Sequence, residues 1–312
     1  MRILRANHLG MCFGVRNAIR LALDQARSRP LTVLGDLVHN ETVLGLLRSH
    51  GIRTVRLGEA VATSAVMVTA HGASNRAKAA LQARGLDVIE ATCPLVRHAH
   101  LAILALAREG YHPVIVGQSD HVEVRGLTGD LDAFDVVLTE SDVRQLRPRP
   151  RFGVAAQTTQ PSEHVRHLVG LLRERFPRSE VKYVDTVCRA TKERQWAVVE
   201  LAQECDVVVV VGGARSNNTR QLVATCARHC GRVYQVESPE EVRPEWFGVA
   251  DTVGLTAGTS TPDEVISSVE ARLRALARVA DQNPDREAEA RVLAAAVRSG
   301  EVERAPVPCL AD

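Results

Sequence analysis

The sequence lacks long hydrophobic runs, a strong net charge and, almost entirely, lysine. No run of ~20 apolar residues occurs in its 312 residues, so nothing indicates a membrane-spanning helix. A net charge of +2 gives no reason to expect nucleic-acid binding. Only three of the 39 basic residues are lysine, and a GC-rich genome explains this better than phosphate binding does. We therefore expect neither a membrane nor a nucleic acid as partner.

Neither the start of the chain nor its cysteines indicate secretion. The first eight residues lack the apolar core of a signal peptide. Seven cysteines, an odd number without the spacing of a small disulfide-rich domain, are typical of a reducing compartment, so we expect a cytoplasmic protein. Cys205, Cys226 and Cys230 are predicted core residues, and a metal pair at Cys226 and Cys230 is the weaker alternative. Cys309 falls in the tail.

The other three cysteines occupy the same kind of junction. An apolar strand over 88–91 runs into Cys93, and Pro94 then opens a helix. Cys12 and Cys188 also lie between a strand and a helix, 81 residues before and 95 residues after Cys93. Ligands of open α/β sheets bind at the carboxyl ends of strands, and the positive end of a helix favours a thiolate. Three soft thiolates at such positions suit an iron–sulfur cluster or zinc.

Short apolar strands alternate with helices over most of the chain. This order predicts an α/β fold of parallel sheets with right-handed crossovers, and the cysteine junctions divide it into three similar units. If the three units face one another, their loops share a central cavity. The predicted units are 13–93, 94–188, and 189–280 together with 1–12, followed by a partly disordered C-terminal extension at 281–312.

Histidines and hydrogen-bond donors follow several of the other predicted strands. His39, His71 and His121 each come after an apolar strand, where an imidazole can bind phosphate or shuttle a proton. The turn at 212–219 is rich in donors suited to phosphate, although a plain helix cap is the simpler interpretation. The remaining eight histidines are predicted surface residues: His8, His50, His98, His100, His112, His164, His167 and His229.

Glu123 lies two residues after His121 and is expected to face the same cavity. The pKa of a carboxyl group rises in a closed cavity, so such a group can donate a proton near neutral pH. A solvated surface glutamate is the ordinary alternative for any single Glu.

Nine short motifs occur in a fixed order: Gly10–Val15, His39–Asn40, Ala70–Gly72, Ala91–Val96, His121–Val124, Gln157–Thr159, Cys188–Gln195, Ser216–Thr219 and Thr256–Pro262. Together they resemble the IspH/LytB family, the 4-hydroxy-3-methylbut-2-enyl diphosphate reductases, and the resemblance covers residues 1–276. Val122 stands where the family usually has proline, and Asn217 where it usually has a second serine. These two departures leave room for a paralogue with a changed substrate.

The resemblance implies a trefoil of three α/β domains around one [4Fe–4S] cluster. Cys12, Cys93 and Cys188 would ligate three irons, and the fourth iron would be open to substrate. The implied reaction is the last step of the non-mevalonate isoprenoid pathway, in which a monomeric enzyme removes the allylic hydroxyl reductively. A ferredoxin or flavodoxin would donate the electrons, and Glu123 would supply the proton. The implied substrate-binding residues are His39, His71, His121, Thr158, Ser216, Asn217, Asn218 and Ser260.

Two other functions are compatible with the same residues. A zinc hydrolase would use the cysteines and histidines, since three thiolates with an open position can hold zinc. A non-catalytic iron–sulfur paralogue would keep the cluster without the reaction.

Overall fold

The structure is a computed structural model that describes residues 1–56 and 58–281. Within these residues three four-stranded sheets form, and every strand pairing is parallel. The strands are β1 (Arg2–Arg5), β2 (Leu31–Leu34), β3 (Arg53–Val55), β4 (Ala65–Val68), β5 (Asp87–Glu90), β6 (His112–Val116), β7 (Asp135–Val137), β8 (Arg151–Ala156), β9 (Glu180–Tyr183), β10 (Val207–Val211), β11 (Val233–Val236) and β12 (Thr252–Ala257).

Helices link most of the successive strands. The α-helices are α1 (Phe13–Ala26), α2 (Glu41–Ser49), α3 (Asn75–Ala83), α4 (Pro94–Arg108), α5 (Val122–Thr128), α6 (Glu140–Gln145), α7 (Ser162–Arg175), α8 (Arg189–Glu204), α9 (Asn217–Ala227) and α10 (Asp263–Asp281). Short 3₁₀ turns at Pro239–Glu241 and Pro244–Trp246 precede β12. No helix in the described ranges is both long and apolar enough to cross a membrane.

The three sheets repeat one strand order. The first is β3-β2-β4-β5, the second β7-β6-β8-β9 and the third β11-β10-β12-β1. The amino-terminal strand β1 therefore completes the third sheet, where it pairs in parallel with β12. These equivalent sheets confirm the predicted α/β fold of three similar units. The exact unit boundaries stay a prediction, and the predicted C-terminal extension beyond Asp281 lies outside the described residues.

The central strands of each sheet form the core. β10 consists of five valines that are all fully buried, and β2 and β4 are buried along their whole lengths. Apolar, often β-branched side chains suit strands that are covered by helices on both faces. Cys205, Cys226 and Cys230 are buried in the core of the third unit, which confirms their prediction as core residues.

Each site cysteine follows an edge strand. β5, β9 and β1 are equivalent edges of the three sheets, and they lead to Cys93, Cys188 and Cys12 respectively. The neighbouring strands β4, β8 and β12 lead to the loops of His71, Thr158 and Ser260. Because parallel strands end at the same edge of a sheet, each unit presents a cysteine beside a polar loop.

Candidate active site

The three cysteines cap the amino ends of α1, α4 and α8. Each is partly exposed and free of a disulfide. Thr191 donates its backbone N–H to Cys188 Sγ over 3.3 Å, and its hydroxyl lies 3.0 Å from the same sulfur. At Gly14 on α1, an added Cβ would lie 2.6 Å from Cys93 Sγ. The amino ends of α1 and α4 therefore meet at the Cys93 sulfur.

Burial dominates the electrostatics of these thiols. Removal from water raises the pKa of Cys93 and of Cys188, and hydrogen bonds at the helix ends offset this only in part. The charges of Cys12 and Glu123 raise both pKa values further. The helix ends therefore favour the thiolates of Cys93 and Cys188 as expected, but burial outweighs their effect on these two free thiols. A coordinated cation would supply the missing stabilisation, because a metal deprotonates a coordinating thiol.

Arg194 is a buried cation beside the thiols for which the sequence predicted no role. Its Nε and Nη2 donate to the Gly10 carbonyl at 3.1 and 2.6 Å, and its Nη1 donates to the Ala190 carbonyl at 2.9 Å. Burial lowers the pKa of Arg194, whereas the charges of Cys12 and Cys188 raise it. Arg194 thus ties the loop before Cys12 to the helix after Cys188, and its charge favours anionic sulfur at both.

The donor set does not match a single metal ion. In the described part of the chain, no group of three or more Cys, His, Asp or Glu side chains is arranged to hold one ion. Three thiols on three helix ends instead suit an iron–sulfur cluster, in which each thiolate binds a different iron. The three thiols therefore fit the donor set of an iron–sulfur cluster.

Three imidazoles come together in what we call the histidine cluster, His39, His71 and His121. Their ring centroids are 4.7 Å apart for His39–His71, 5.7 Å for His39–His121 and 5.6 Å for His71–His121. Burial lowers the pKa of all three, to about 4 for His121 and well below the ordinary value for His71. The cluster is therefore uncharged near neutral pH, and each ring offers one N–H donor.

The third unit packs tightly against the loop that carries His39. The Ser260 hydroxyl donates to the His39 carbonyl oxygen at 3.4 Å. A Cβ added at Gly213 would lie 2.6 Å from the same oxygen, so only glycine fits there without a shift. These contacts bring the predicted phosphate-binding loops of the first and third units together.

Buried polar atoms without partners gather around the histidine cluster. Ser216 caps α9, and Asn218 Oδ1 accepts the backbone N–H of Thr259 at 2.9 Å. Unpaired buried polar atoms are uncommon, and a cluster of them is typical of a site that awaits a ligand or water. The side-chain atoms without a hydrogen bond here are Nδ1 of His71, Oδ1 of Asn217, Nδ2 of Asn218 and Oγ1 of Thr219, while His39 Nδ1 lies 3.8 Å from Asp36 Oδ2.

Glu123 adjoins both the histidine cluster and the thiols. Only 1% of the residue is exposed, and its carboxylate oxygens accept the Thr158 N–H at 2.6 Å and the Thr158 hydroxyl at 3.0 Å. Its own N–H donates to His121 Nδ1 at 3.1 Å, and its charge acts on Cys93 and Cys188. Burial outweighs the Thr158 hydrogen bonds and raises the pKa of Glu123 to about 7. The surface alternative for Glu123 is therefore wrong.

Asn217 connects the third unit to the second. Its Nδ2 donates to Thr159 Oγ1 at 2.8 Å, and the asparagine is 2% exposed. Thr159 follows directly on Thr158, so this bond also supports the loop that holds Glu123. The Asn217 amide nitrogen already donates to Thr159, so only its amide oxygen lacks a hydrogen-bond partner.

Two arginines beside the histidine cluster had no predicted role. Arg215, in the turn before α9, lies 3.2 Å from Asp36, and Arg220 donates to Gln118 at 3.0 Å. Both guanidinium charges act on His39. Because both arginines are exposed, they supply positive charge at the solvent side of the pocket without being buried in it.

The prediction that His100 lies on the surface is wrong. It is 9% exposed, and its Nε2 lies 2.9 Å from Asp130 Oδ2. His100 shares the buried face of α4 with Val96, Ala99 and Ile103, which follow the helical spacing of an apolar stripe. That spacing was the available signal, but Asp130 belongs to a distant loop that the spacing does not identify.

The fold and the site define a class of α/β protein in which three parallel sheets carry three free cysteines, a buried carboxyl group and a cluster of three histidines at the ends of their strands. The family model described as LytB protein matches residues 3–274. The chain belongs to the LytB family, which confirms the resemblance seen in the sequence.

Individual relatives are similar over most of their length. A 4-hydroxy-3-methylbut-2-enyl diphosphate reductase of Aquifex aeolicus is 38% identical over 279 residues, covering 87% of this chain and 96% of the relative. The reductase of Anaeromyxobacter sp. (strain Fw109-5) is 37% identical over 281 residues, covering 89% of this chain and 99% of that relative.

Solved structures share the fold. A structure of (E)-4-hydroxy-3-methyl-but-2-enyl diphosphate reductase, described as the terminal enzyme of the non-mevalonate pathway, is 36% identical, with a TM-score of 0.64, and covers 88% of this chain and 99% of that one. The structure of the E-1-hydroxy-2-methyl-but-2-enyl-4-diphosphate reductase from Plasmodium falciparum is 25% identical, with a TM-score of 0.79. The match covers 86% of this chain and 87% of that one.

Thr158→Val should raise the pKa of Glu123 above its value of about 7. The change removes the hydroxyl that donates to the carboxylate, and hydrogen bonds to the charged form of a carboxyl group lower its pKa. Infrared difference spectra across pH measure the shift, with the band assigned by its loss in Glu123→Gln. Thr225→Val, a buried threonine of α9, is the control. A Glu123 pKa that falls or stays constant in Thr158→Val would contradict the expectation.

Proposed function

We propose that the protein is a 4-hydroxy-3-methylbut-2-enyl diphosphate reductase, the activity for which its relatives are named. The substrate takes up two electrons and two protons, loses its allylic hydroxyl as water, and gives isopentenyl or dimethylallyl diphosphate. The observation that carries the proposal is Glu123, a fully buried, protonatable carboxyl group that adjoins both the histidine cluster and the thiols. Membership in the LytB family supports it.

Cys12, Cys93 and Cys188 would hold one [4Fe–4S] cluster, with one iron left open for the substrate hydroxyl. The placement of the thiols on three separate helix ends supports this ligand set. When bound, the cluster supplies electrons one at a time and polarises the hydroxyl oxygen as a Lewis acid. The buried charge of Arg194 would stabilise the anionic sulfurs of Cys12 and Cys188.

The diphosphate would bind among His39, His71, Ser216, Asn218 and Ser260. Neutral imidazoles and the unpaired amide of Asn218 offer donors there, and the amino end of α9 adds the positive end of a helix dipole. The exposed Arg215 and Arg220 would attract the anion from solvent. His121, Thr158 and Asn217 would surround the hydroxymethyl end of the substrate.

Glu123 would protonate the departing hydroxyl. Hydroxide is a poor leaving group, so cleavage of the C–O bond needs a proton at the oxygen, and the oxygen then leaves as water. A carboxyl group with a pKa of about 7 carries that proton and releases it near neutral pH. The second proton would go to the allylic carbon at either end, which yields the two products.

The partner and setting of the reaction are proposed on the family resemblance. A ferredoxin or flavodoxin would deliver the electrons at the thiol face. We also propose that the enzyme is monomeric and cytoplasmic.

Gly14→Ala should lower the iron content of the protein, as Cys93→Ser should. The new methyl group would lie 2.6 Å from Cys93 Sγ, so either α1 shifts or the thiol turns away from its binding position. Iron per chain and visible absorption after anaerobic purification measure the effect. Gly170→Ala on α7, where a Cβ meets nothing within 4 Å, is the matched control. Full iron content in both Gly14→Ala and Cys93→Ser would remove Cys93 from the ligand set.

Binding of inorganic diphosphate should take up protons and strengthen as pH falls below neutral. Burial and mutual repulsion keep the imidazoles neutral, and a bound anion raises their pKa values again, so binding draws protons in. Calorimetry in buffers of different ionisation enthalpy measures this uptake. Because diphosphate itself also takes up protons, the test compares wild type with His71→Asn, in which proton uptake should be smaller. His229→Asn, an exposed histidine, is the control, and equal uptake in wild type and His71→Asn would be the contrary result.

Glu123→Gln should keep the cluster and bind substrate but turn over at least ~100-fold more slowly, within the ~10²–10⁴-fold range of a positioned proton donor. Glutamine keeps the size and the contacts with Thr158 but has no acidic proton. Steady-state turnover with excess chemical reductant, an iron assay and a substrate-binding measurement test the three parts. Glu200→Gln, exposed on α8, is the control. Near-wild-type turnover of Glu123→Gln would place the proton source elsewhere.

A further inference from the structure

A small cavity lies behind Glu123, lined by residues of the first two units. Its volume is about 20 Å³, which is room for about one water molecule. Glu123 and His71 line it together with Glu90, Lys78 and other residues. No residue of the third unit is among the lining residues, so the cavity is separate from the loops of Ser216 and Ser260.

We propose that Glu123 regains its proton through this cavity, with Glu90 at the solvent end of the path. The inference rests on the proposed function, in which Glu123 gives up one proton in each turnover. Glu123 is almost completely buried, and a bound diphosphate would occupy the side of the site that faces the third unit. A path between the first two units lets protons reach Glu123 while substrate is in place.

Exposure along the lining indicates the direction of the path. Glu123 is buried and His71 is partly exposed, whereas the side chains of Glu90 and Lys78 are 39% and 24% exposed. The cavity therefore connects a fully buried carboxyl group to a carboxylate that contacts solvent.

Polar groups that can pass a proton line this connection. The Thr92 hydroxyl donates to the Glu90 carboxylate, and Lys78 Nζ lies 2.9 Å from Glu90 Oε2. Thr92 also lines the cavity, and His71 Nδ1 has no protein partner. A water held there would find a hydroxyl, a carboxylate and an unpaired imidazole nitrogen among the lining groups, which satisfies the need of a buried water for several polar partners.

The charges around the cavity favour entry of a proton from the outer end. Burial raises the pKa of Glu90, but hydrogen bonds from Thr92 and Lys78 lower it by more, so Glu90 is anionic near neutral pH. His100 and Arg97 also line the cavity; burial lowers the pKa of His100, and Asp130 lies against its ring. Glu90 is therefore an unprotonated acceptor at the outer end of the path, and its charge is paired with Lys78.

The transfer moves one proton and no electrons. Glu90 would take up a proton from a solvent hydronium ion, which reverses its hydrogen bond with Thr92, so that Glu90 donates to the Thr92 oxygen and the Thr92 O–H turns to the cavity water. Thr92 then receives the proton of Glu90 as it passes its own to the water. The water in turn passes a proton to the Glu123 carboxylate. One O–H bond breaks in the hydronium ion and one forms at Glu123, and the intervening groups end as they began. Glu90 acts through Glu123 and does not touch the substrate.

Two variants interrupt the path at different points. Val96→Ile adds one carbon to a buried side chain that lines the cavity. The Val96 side chain is closely packed, since its Cγ1 would lie 3.3 Å from a Cβ built on Gly72. Glu90→Gln keeps the size of Glu90 and removes its charge. Glu109→Gln is the matched control, because Glu109 is also a half-exposed glutamate paired with a lysine, 2.6 Å from Lys182 at the far end of α4.

The test measures proton exchange at the Glu123 carboxyl group directly. The holoenzyme is saturated with inorganic diphosphate to close the substrate side and is then mixed into D₂O. The rate at which the infrared band of protonated Glu123 shifts reports proton exchange, a readout that a merely structural role would not change. We expect at least ~10-fold slower exchange in Val96→Ile and Glu90→Gln, with a matching loss of turnover and an unchanged iron content. Glu109→Gln should behave as wild type.

The outcomes separate this inference from the proposed function. Wild-type exchange in both variants would overturn the path, and so would slowing in only one of them, since both residues lie on one route. Loss of turnover in Glu123→Gln together with normal Val96→Ile and Glu90→Gln proteins would leave the proposed function intact and reject the path. Normal turnover in Glu123→Gln would instead reject Glu123 as the proton source.

Discussion

The site depends on how closely the backbones of the three units approach one another at the ends of their strands. At Gly213 a single added carbon would lie 2.6 Å from the His39 carbonyl, and at Gly14 it would lie 2.6 Å from the Cys93 sulfur. Larger side chains at these points would hold the elements apart and admit water. Their absence lets the loops at the strand ends of the three sheets enclose a space in which Glu123 is only 1% exposed.

Exclusion of water then determines the charge of each group inside. Desolvation lowers the pKa of the imidazoles and raises the pKa of Glu123 and of the thiols, so all of them tend towards their neutral forms. Charged side chains also act on this space: the buried Arg194 next to the thiols, and Asp36 and the exposed Arg215 and Arg220 next to the histidine cluster. Neutral groups with arginines beside them suit the anionic cluster and the diphosphate that we propose.

The sequence predicted those parts of the fold and site that repeat along the chain. Strand, cysteine and helix recur three times, so the parallel sheets and the convergence of His39, His71 and His121 follow from the repeat. The sequence did not predict the side-chain pairs that join distant segments of the chain. His100 lies on the apolar stripe of α4, yet nothing in the local sequence points to Asp130, and the bond from Asn217 to Thr159 exists only because two units meet. The thiol pKa values were also missed, because burial depends on tertiary packing whereas a helix end can be recognised locally.

A molecule built from three facing units has three interfaces between units, here called seams. The seams differ in the residues and the space that they contain. The seam between the third and first units is closed by the contact of Gly213 and Ser260 with His39, and the seam between the second and third by the buried bond of Asn217. Between the first and second units, a Cβ added at Gly126 would lie 3.5 Å from the backbone of Gly72, an ordinary contact distance, and a cavity remains beside them. Under the proposed function the substrate anion would bind at the closed seams, where its oxygens would accept from the unpaired donors. Protons need the remaining seam, since a group buried under a bound substrate can be recharged only from a side that the substrate does not cover.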